Sequence, residues 1–385
     1  MGDTFPRLTD IAYLEEGLRL MKSRPTFESL RLRLISVSRK RAEQEIGIPR
    51  SGFGVVRRLV AVDNYTYWSN AKDVLIELMN LQMIKSAPVP SRREHVIFHR
   101  DRTYELTKHG EDMLAELEKN QITFREKLLE LMYRNHSHLR SLVKTLEDRD
   151  IYVPIYRLEE RCAGSSDVDN TMLVKDVTDW VAEKALQYEL TLDVSSLEKR
   201  LQKKAAEGKA TSRTKFISAI NECVESEFLK AHGLSFDNVT FEHLYRLGEQ
   251  MHLMNYGYLR TEESSSLVVF STAEIKEEPA FQVERHKLCD YERRFLEAIP
   301  QEHNTLGEPF VPIHDLRTRV CHKLKCNNEL FDYVVQNLFL GRYKVEYKIA
   351  LLRDMPRVLP PSAKPLKINN EVYFTITIIQ KKRGE

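Results

Sequence analysis

Residues 69–117 decide the fold, and they read SNAKDVLIELMNLQMIK (69–85), SAPVPSRREHVIFHRDRTYEL (86–106) and TKHGEDMLAEL (107–117). The first part predicts a helix with Asn70 as its N-cap and Asp73 as an acidic partner three residues on. Its helical spacing lies in the apolar residues Val74, Leu75, Leu78, Leu81 and Met83.

The second and third parts predict a two-stranded wing and another helix. Val96 and Phe98 alternate with histidines and predict one strand, whereas Tyr104 and Leu106 predict the other. These two strands are predicted to lie around a basic loop. Thr107 then stands where a helix N-cap is expected. The order is therefore helix, wing, Leu-Thr-x-x-Gly and helix.

This order resembles the recognition helix, wing and following helix of MarR-type or PadR-type bacterial transcription regulators, which are winged helix-turn-helix proteins. The resemblance covers residues 69–117 of the 385-residue chain. It implies a winged-helix fold and DNA binding, and it implies that helices within 121–147 pair two chains. The matching residues are Leu81-Gln82-Met83-Ile84, Arg102 and Leu106-Thr107-Lys108-His109-Gly110.

Two further segments predict the same helix-and-hairpin pattern, although their sequences are not visibly similar to the first. In residues 238–270, Thr240 is the predicted cap of a helix, Gly257 its left-handed C-cap, and 267–270 a strand. In residues 312–379, helices at 313–323 and up to Leu338 precede an alternating strand at 343–349. A proline-rich wing at 355–365 and a strand at 371–379 complete that segment.

The sequence predicts an α+β, mostly helical protein with two to three winged-helix domains around a helical middle. The predicted domains are 1–120 (N-terminal helices plus a winged helix), 121–210 (helical middle), 211–280 (second winged helix) and 281–385 (C-terminal winged helix). Linkers are predicted at 164–166 and 205–212, because both stretches are rich in small residues.

Charge is spread unevenly along a chain whose formal net charge is only +2. Residues 21–60 hold ten bases and three acids, a balance of +7, and residues 342–385 hold ten bases and four acids, a balance of +6. Residues 146–190 hold five bases and eleven acids, a balance of −6. A histone-like basic coat and an acidic tail protein are therefore excluded, and basic ends that meet phosphates are indicated.

The predicted partner is double-stranded DNA, contacted through phosphates more than through base edges. Asp73 and Glu77 are expected on the exposed face of the first recognition helix, where carboxylates meet phosphate repulsion, and Glu329 and Asp332 are expected in the same position in the third segment. The second hairpin loop has one base and two acids, which favours protein docking. The predicted DNA-binding residues are Asn70, Lys72, Arg92, Arg93, His95, Arg100, Arg102, Lys344, Lys348 and Arg353.

Two chemical sites are weighed and set aside. Glu346-Tyr347-Lys348 with Asp332 has the residue types of a Mg²⁺ nuclease site, but an alternating strand explains the first three residues better. Cys321 and Cys326 have a loose spacing for zinc, and buried thiols are the simpler interpretation. No cofactor, metal or catalytic residue is assigned, and the protein is expected not to be an enzyme.

The first functional hypothesis is a non-catalytic DNA-binding protein, either a regulator or an architectural subunit. The alternative is a scaffold or adaptor of a larger DNA-acting machine, similar in architecture to a kleisin or a phage-defence subunit, with winged domains that dock proteins. A protein partner or self-association is expected in both cases. The five cysteines predict reduced thiols in the cytoplasm, and no apolar run is long enough for a membrane span.

Overall fold

The computed structural model describes residues 11–45, 64–86, 102–156, 170–207, 213–260, 265–272, 285–354, 364–369 and 371–380. Helices make up most of these residues and the strands form small sheets, which confirms the predicted α+β, mostly helical class. The chain divides into two compact units. The N-terminal unit comprises 1–140, 246–251 and 367–372, and the C-terminal unit comprises 141–245, 252–366 and 373–385. Within the described ranges, no helix combines the length and apolarity of a membrane span.

The N-terminal unit is built from helices around a small antiparallel hairpin. A single bridge between Thr26 and Thr103 adds a third, one-residue partner to that hairpin. Along the chain, the order of elements is a helix, the bridge, two helices, two strands and then further helices. The elements are α1 (Ile11–Leu20), α2 (Phe27–Glu45), α3 (Asn64–Asn80), β1 (Ile84–Ser86), β2 (Tyr104–Leu106), α4 (Lys108–Lys119), α5 (Gln121–Asn135) and α6 (Ser137–Asp148), of which α6 continues into the C-terminal unit.

The core of this unit forms where α1 crosses α3 at a glycine. A Cβ on Gly17 would lie 2.6 Å from Val74 Cγ1, so the absence of a side chain allows the close approach. Leu14, Leu18 and Leu78 are completely buried there. Helix α3 begins at Asn64, six residues before Asn70, so the prediction that Asn70 caps this helix is wrong. Capping preference is a weak local effect that tertiary packing overrides.

The C-terminal unit contains a three-stranded sheet in the order β3-β5-β4 and a second in the order β6-β10-β7, whereas the pair β8-β9 lies mostly within residues 367–372 of the N-terminal unit. The helices around them include α7 (Asn170–Gln187), α8 (Val194–Glu207), α9 (Arg213–Ala231), α10 (Asn238–Gln250), α11 (Arg285–Leu306), α12 (Ile313–Leu324) and α13 (Asn328–Phe339), of which α10 ends in residues of the N-terminal unit. The strands are β3 (Ile151–Ile155), β4 (Met254–Arg260), β5 (Ser265–Ser271), β6 (Val311–Pro312), β7 (Tyr347–Leu352), β8 (Leu366–Ile368), β9 (Glu371–Tyr373) and β10 (Thr375–Gln380).

The strand β3 lies inside the region predicted to be a helical middle, and it pairs with β5 from Ile151 opposite Val269 to Ile155 opposite Ser265. Pro154 lowers the strand signal of this short run. The sheet order places β3 at an edge, where a proline is tolerated. The predicted linker 164–166 lies outside the described residues, and the described part of 205–212 continues helix α8.

The predicted second hairpin exists, but two of its predicted caps are wrong. Asp237, not Thr240, caps α10, because the Asp237 carboxylate accepts the Thr240 N–H at 2.7 Å. Gly257 lies within β4 rather than in a helix C-cap, and His252 takes the left-handed conformation after the helix, with φ of 56°. The predicted strand 267–270 is confirmed within β5.

The third predicted segment is confirmed in the order of its two helices and its long strands, with a later start to the first of these strands, whereas most of the wing predicted at 355–365 lies outside the described residues. Asn327 caps α13 through a 2.9 Å bond from the Leu330 N–H, and Lys325 ends α12 with φ of 54°. The strand expected at 343–349 begins only at Tyr347, opposite Gln380 of β10. The predicted final strand, 371–379, is divided into β9 and β10.

Carboxylates crowd where α9 faces α10, and this crowding makes stability pH-dependent. Burial, with the charges of Glu242 and Glu222, raises the pKa of Glu225 from 4.5 to about 7. The folded protein therefore holds this proton up to about pH 7, and the stability linked to it, complete below pH 4.5, is lost as the pH rises through 7.

We expect Glu225→Gln to raise the free energy of unfolding at pH 8 by about 1–2 kcal/mol, after allowance for water around the side chain, and to change nothing at pH 4.5. Urea denaturation at both pH values measures this difference. Glu183→Gln, at an exposed helical carboxylate, is the matched control and is expected to have no effect at either pH. An equal gain at both pH values would contradict the linkage.

Candidate nucleic-acid interface

The strand pair β1–β2 fixes both ends of the basic wing segment, which we define as residues 87–103. Ile84 lies opposite Leu106 and Ser86 opposite Tyr104, so the chain leaves and re-enters the hairpin at neighbouring points. The second predicted strand, with Tyr104 and Leu106, is confirmed. The strand predicted at Val96 and Phe98 lies outside the described residues, whereas 84–86 supplies the observed partner.

The end of α3 and the start of α4 are joined at the Leu-Thr-x-x-Gly motif. The Thr107 hydroxyl accepts the Gly110 N–H at 3.0 Å, which confirms the predicted cap. It also donates to the Gln82 carbonyl at 2.6 Å. Gln82 has a left-handed φ of 58° and follows the last turn of α3. The motif therefore fixes the end of α3 relative to the wing.

Of the predicted N-terminal DNA-binding residues, the structure describes Asn70, Lys72 and Arg102. Asn70 and Lys72 are half-buried within α3. The Arg102 guanidinium donates to the Ser86 hydroxyl at 3.0 Å, so this bond joins the chain before the wing segment to the end of that segment. Outside the described residues lie Arg92, Arg93, His95 and Arg100.

Glu77 is not on the exposed face of the recognition helix, contrary to the prediction. Its side chain is completely buried, and its Oε1 lies 2.7 Å from Nε2 of His136, which is also completely buried. One carboxylate expected to repel phosphate is thus removed from the surface. The sequence itself indicates that Glu77 is buried, because Glu77 lies beside Val74, Leu78 and Leu81 on the apolar face of the helix.

The described surface beside the hairpin is basic. Arg24 and Lys85, 73% and 65% exposed, both lie near the Glu105 carboxylate, at 3.5 and 3.8 Å. Exposed ion pairs of this kind contribute little to stability. Their effect here is electrostatic, because two cations face one anion and leave an excess of positive charge beside the wing segment.

The C-terminal unit places its predicted DNA-binding residues on an exposed sheet face and near it. Lys348 is exposed on β7 opposite Ile379. Lys344 is exposed but precedes the strand, so the expectation that both lysines project from one strand is wrong. Arg353 is exposed, with its guanidinium 6.0 Å from the Tyr373 ring centroid.

Asp332, expected as an exposed acid of the third segment, is 35% exposed and forms an ion pair with a buried arginine. Its carboxylate lies 2.7 Å from the buried Arg317 guanidinium, which also donates to the Lys364 carbonyl at 2.6 Å. Burial nevertheless raises the pKa of Asp332 above its ordinary value. Because Asp332 lies in α13 and is paired with Arg317, the arrangement gives no support to a nuclease site with Glu346 and Lys348.

The predicted buried thiols are confirmed, since Cys321 and Cys326 are 0% and 1% exposed. Burial raises the pKa of the Cys321 thiol well above its ordinary value, so it is inert at neutral pH. Across the described ranges, no three histidine, cysteine or carboxylate side chains are grouped in a way that could hold a metal ion.

Sequence reasoning missed a polar junction between the start of β3 and α12, both within the C-terminal unit. His322 Nε2 lies 2.9 Å from Asp150 Oδ2 and 3.2 Å from the Tyr152 hydroxyl. Lys325 donates to the same carboxylate oxygen of Asp150. These partners stand far apart in sequence and no motif links them. The β4–β5 hairpin, which was expected to dock a protein, also contacts the end of α12, because Lys325 Nζ lies 5.2 Å from the Phe270 ring centroid.

Burial and hydrogen bonding set the proton affinities at this junction. Burial disfavours the charged Asp150 carboxylate, but the hydrogen bonds from His322 and Lys325 outweigh it and hold the pKa of Asp150 below its ordinary value. Burial raises the pKa of the Tyr152 hydroxyl to about 12. The junction thus holds an ionised carboxylate between hydrogen-bond donors, which suits it to joining elements.

Comparisons with protein families, with curated proteins and with solved structures found no match to this chain.

Proposed function

We propose that the protein is a non-catalytic DNA-binding protein whose N-terminal unit is a winged helix. The observation that carries the proposal is the β1–β2 pair at the end of α3, which brings together the residues on either side of an arginine-rich segment. Winged-helix proteins present a helix to the major groove and a wing to the adjacent phosphates. The element order of α1 to α4 agrees with that arrangement.

The charges of the unit support contact with the DNA backbone. The wing segment contains Arg92, Arg93 and Arg100 besides Arg102, with Glu94 and Asp101 as its acids. The burial of Glu77 removes an expected source of repulsion from α3. The proposed binding is strongly salt-dependent, because neutralising phosphates releases their counterions. It is only weakly selective for base sequence, because phosphates carry no sequence information.

We expect the triple variant Arg92→Ala, Arg93→Ala, Arg100→Ala to bind a labelled duplex about 100-fold more weakly than the wild type at 0.1 M salt. Loss of three phosphate contacts lowers the slope of log affinity against log salt by about 2–3. Fluorescence anisotropy from 0.05 to 0.3 M salt measures both quantities. Arg102 is left unchanged in this variant, because its hydrogen bond to Ser86 joins the two ends of the wing segment.

The control variant removes the same charge elsewhere, through Lys175→Ala, Lys199→Ala and Lys203→Ala on exposed faces of α7 and α8. Its salt slope is expected to equal that of the wild type. Equal losses in both variants would mean that only net charge matters, and no binding by the wild type at low salt would refute DNA binding by this chain.

A scaffold or adaptor role is the second candidate function, and exposed apolar side chains on α13 favour it. Tyr333 in the middle of this helix, Phe339 at its end and Leu340 directly after it are 47%, 37% and 39% exposed. Exposed apolar clusters are typical of protein-binding surfaces. If the wild type fails to bind duplex DNA, this role is tested by capturing partner proteins with the wild-type protein. The Tyr333→Ser/Leu340→Ser variant is the negative control.

A further inference from the structure

Buried polar side chains are rare in the described part of the N-terminal unit, and each of them either lies at an end of α5 or contacts a residue there. Glu15, Glu77 and His136 are the members of this set, at 2%, 0% and 0% exposure. Burying a charged group costs free energy unless it is paired, so each such group needs a partner. The partners of Glu15 and Glu77 lie at the two ends of α5.

The first connection lies at the start of α5. Glu15 of α1 accepts hydrogen bonds from the Gln121 side-chain amide at 2.7 Å and from Arg125 Nε at 2.8 Å. Gln121 and Arg125 are one helical turn apart, so both reach the same carboxylate. This arrangement joins α1 to the first turn of α5.

The second connection lies at the other end of α5. His136 directly follows the helix, donates its backbone N–H to the Met132 carbonyl, and contacts Glu77 of α3 with its ring. Between the two connections, Phe124, Leu128 and Met132 form a fully buried row. From Gln121 to His136 is about 22 Å at 1.5 Å per residue, so α5 is joined along its whole length.

We propose that α5 is a clamp that sets the position of the DNA-reading helix α3, with His136 as a positioning residue for it. The proposal rests on the proposed function, since only a DNA-binding unit uses α3 for recognition. A buried polar pair contributes little net stability compared with well-packed apolar side chains, but it has one favourable geometry. The Glu77–His136 contact therefore fixes which residues of α3 and α5 meet.

The test replaces the pair by apolar residues of similar volume, Glu77→Met/His136→Leu. We expect a folded protein with a Tm within a few degrees of the wild type. Amide hydrogen exchange of residues 70–80 is expected to be at least ten-fold faster, and duplex affinity ten-fold weaker with an unchanged salt slope, because no phosphate-binding base is lost. Glu77→Gln, which retains a hydrogen-bonding side chain, is expected to stay close to wild type.

Glu130→Ala/Arg134→Ala is the control, because this pair lies on α5 but is 62% and 68% exposed. It is expected to change neither exchange in α3 nor affinity. Unchanged exchange in the Glu77→Met/His136→Leu protein would overturn the clamp. Faster exchange with no duplex binding by the wild type would instead support the clamp and refute the proposed function.

Discussion

Gly110→Ala is expected to destabilise the N-terminal unit by about 3 kcal/mol or more, a fall in Tm of roughly 10 °C. A Cβ at this position would lie 1.9 Å from the Met83 carbonyl oxygen and 2.8 Å from the Met83 carbonyl carbon. Both atoms belong to the backbone, so no side-chain rotation relieves the contact. Met83 also accepts the Thr107 N–H at 3.0 Å, and moving it breaks this bond.

Helix propensity predicts the opposite sign for this substitution, because alanine is favoured over glycine in a helix by about 1 kcal/mol. The direction of the change, measured by urea denaturation, therefore separates close contact from local preference. Lys108→Ala, at an exposed position in the same turn, is the control and is expected to stay within about 0.5 kcal/mol of wild type. A stabilised Gly110→Ala protein would disprove the observed approach of α4 to Met83.

Gly257→Ala is expected to cost the C-terminal unit about 2–3 kcal/mol of stability. A Cβ there would lie 2.2 Å from Thr318 Oγ1 and 2.5 Å from Thr318 Cγ2, where α12 packs on β4. Gly257 does not have a positive φ, unlike Gly233, Gly307 and Gly341. Space, and not backbone conformation, therefore requires glycine at this position.

The partner substitution tests this explanation. Thr318→Ala removes the two atoms nearest to the new Cβ, so Gly257→Ala/Thr318→Ala is expected to recover at least half of the lost stability. Thermal denaturation of both single variants and the double variant completes the cycle. Simple additivity of the two losses would show that the glycine and the threonine do not oppose each other.

Several parts of the fold could be predicted because neighbouring residues determine them. Helical spacing from Val74 to Leu81 predicts α3, and Thr107 is both the predicted and the observed cap of α4. The motif that ends in Gly110 runs from the last residue of β2 into the first turn of α4. In each case the signal and the structure lie within one or two turns of chain, where local geometry decides.

Errors arose where distant residues compete with local preferences. Glu77 looked exposed by residue type, yet His136, 59 positions away, supplies a buried partner. Asp332 has a partner in Arg317, 15 positions away on another helix. Hydrogen bonds of this kind depend on how helices pack, and sequence spacing does not predict packing.

By itself the sequence determined the mostly helical class, the helix-and-hairpin order around residues 69–117 and the basic character of the wing segment. Only the tertiary structure decided that Glu77 is buried, that α12 packs against Gly257, and that Asp150 contacts His322, 172 positions away. The physical reason is that helix propensity, capping and charge act between near neighbours. Close packing and buried polar pairing act between residues that only the folded chain brings together.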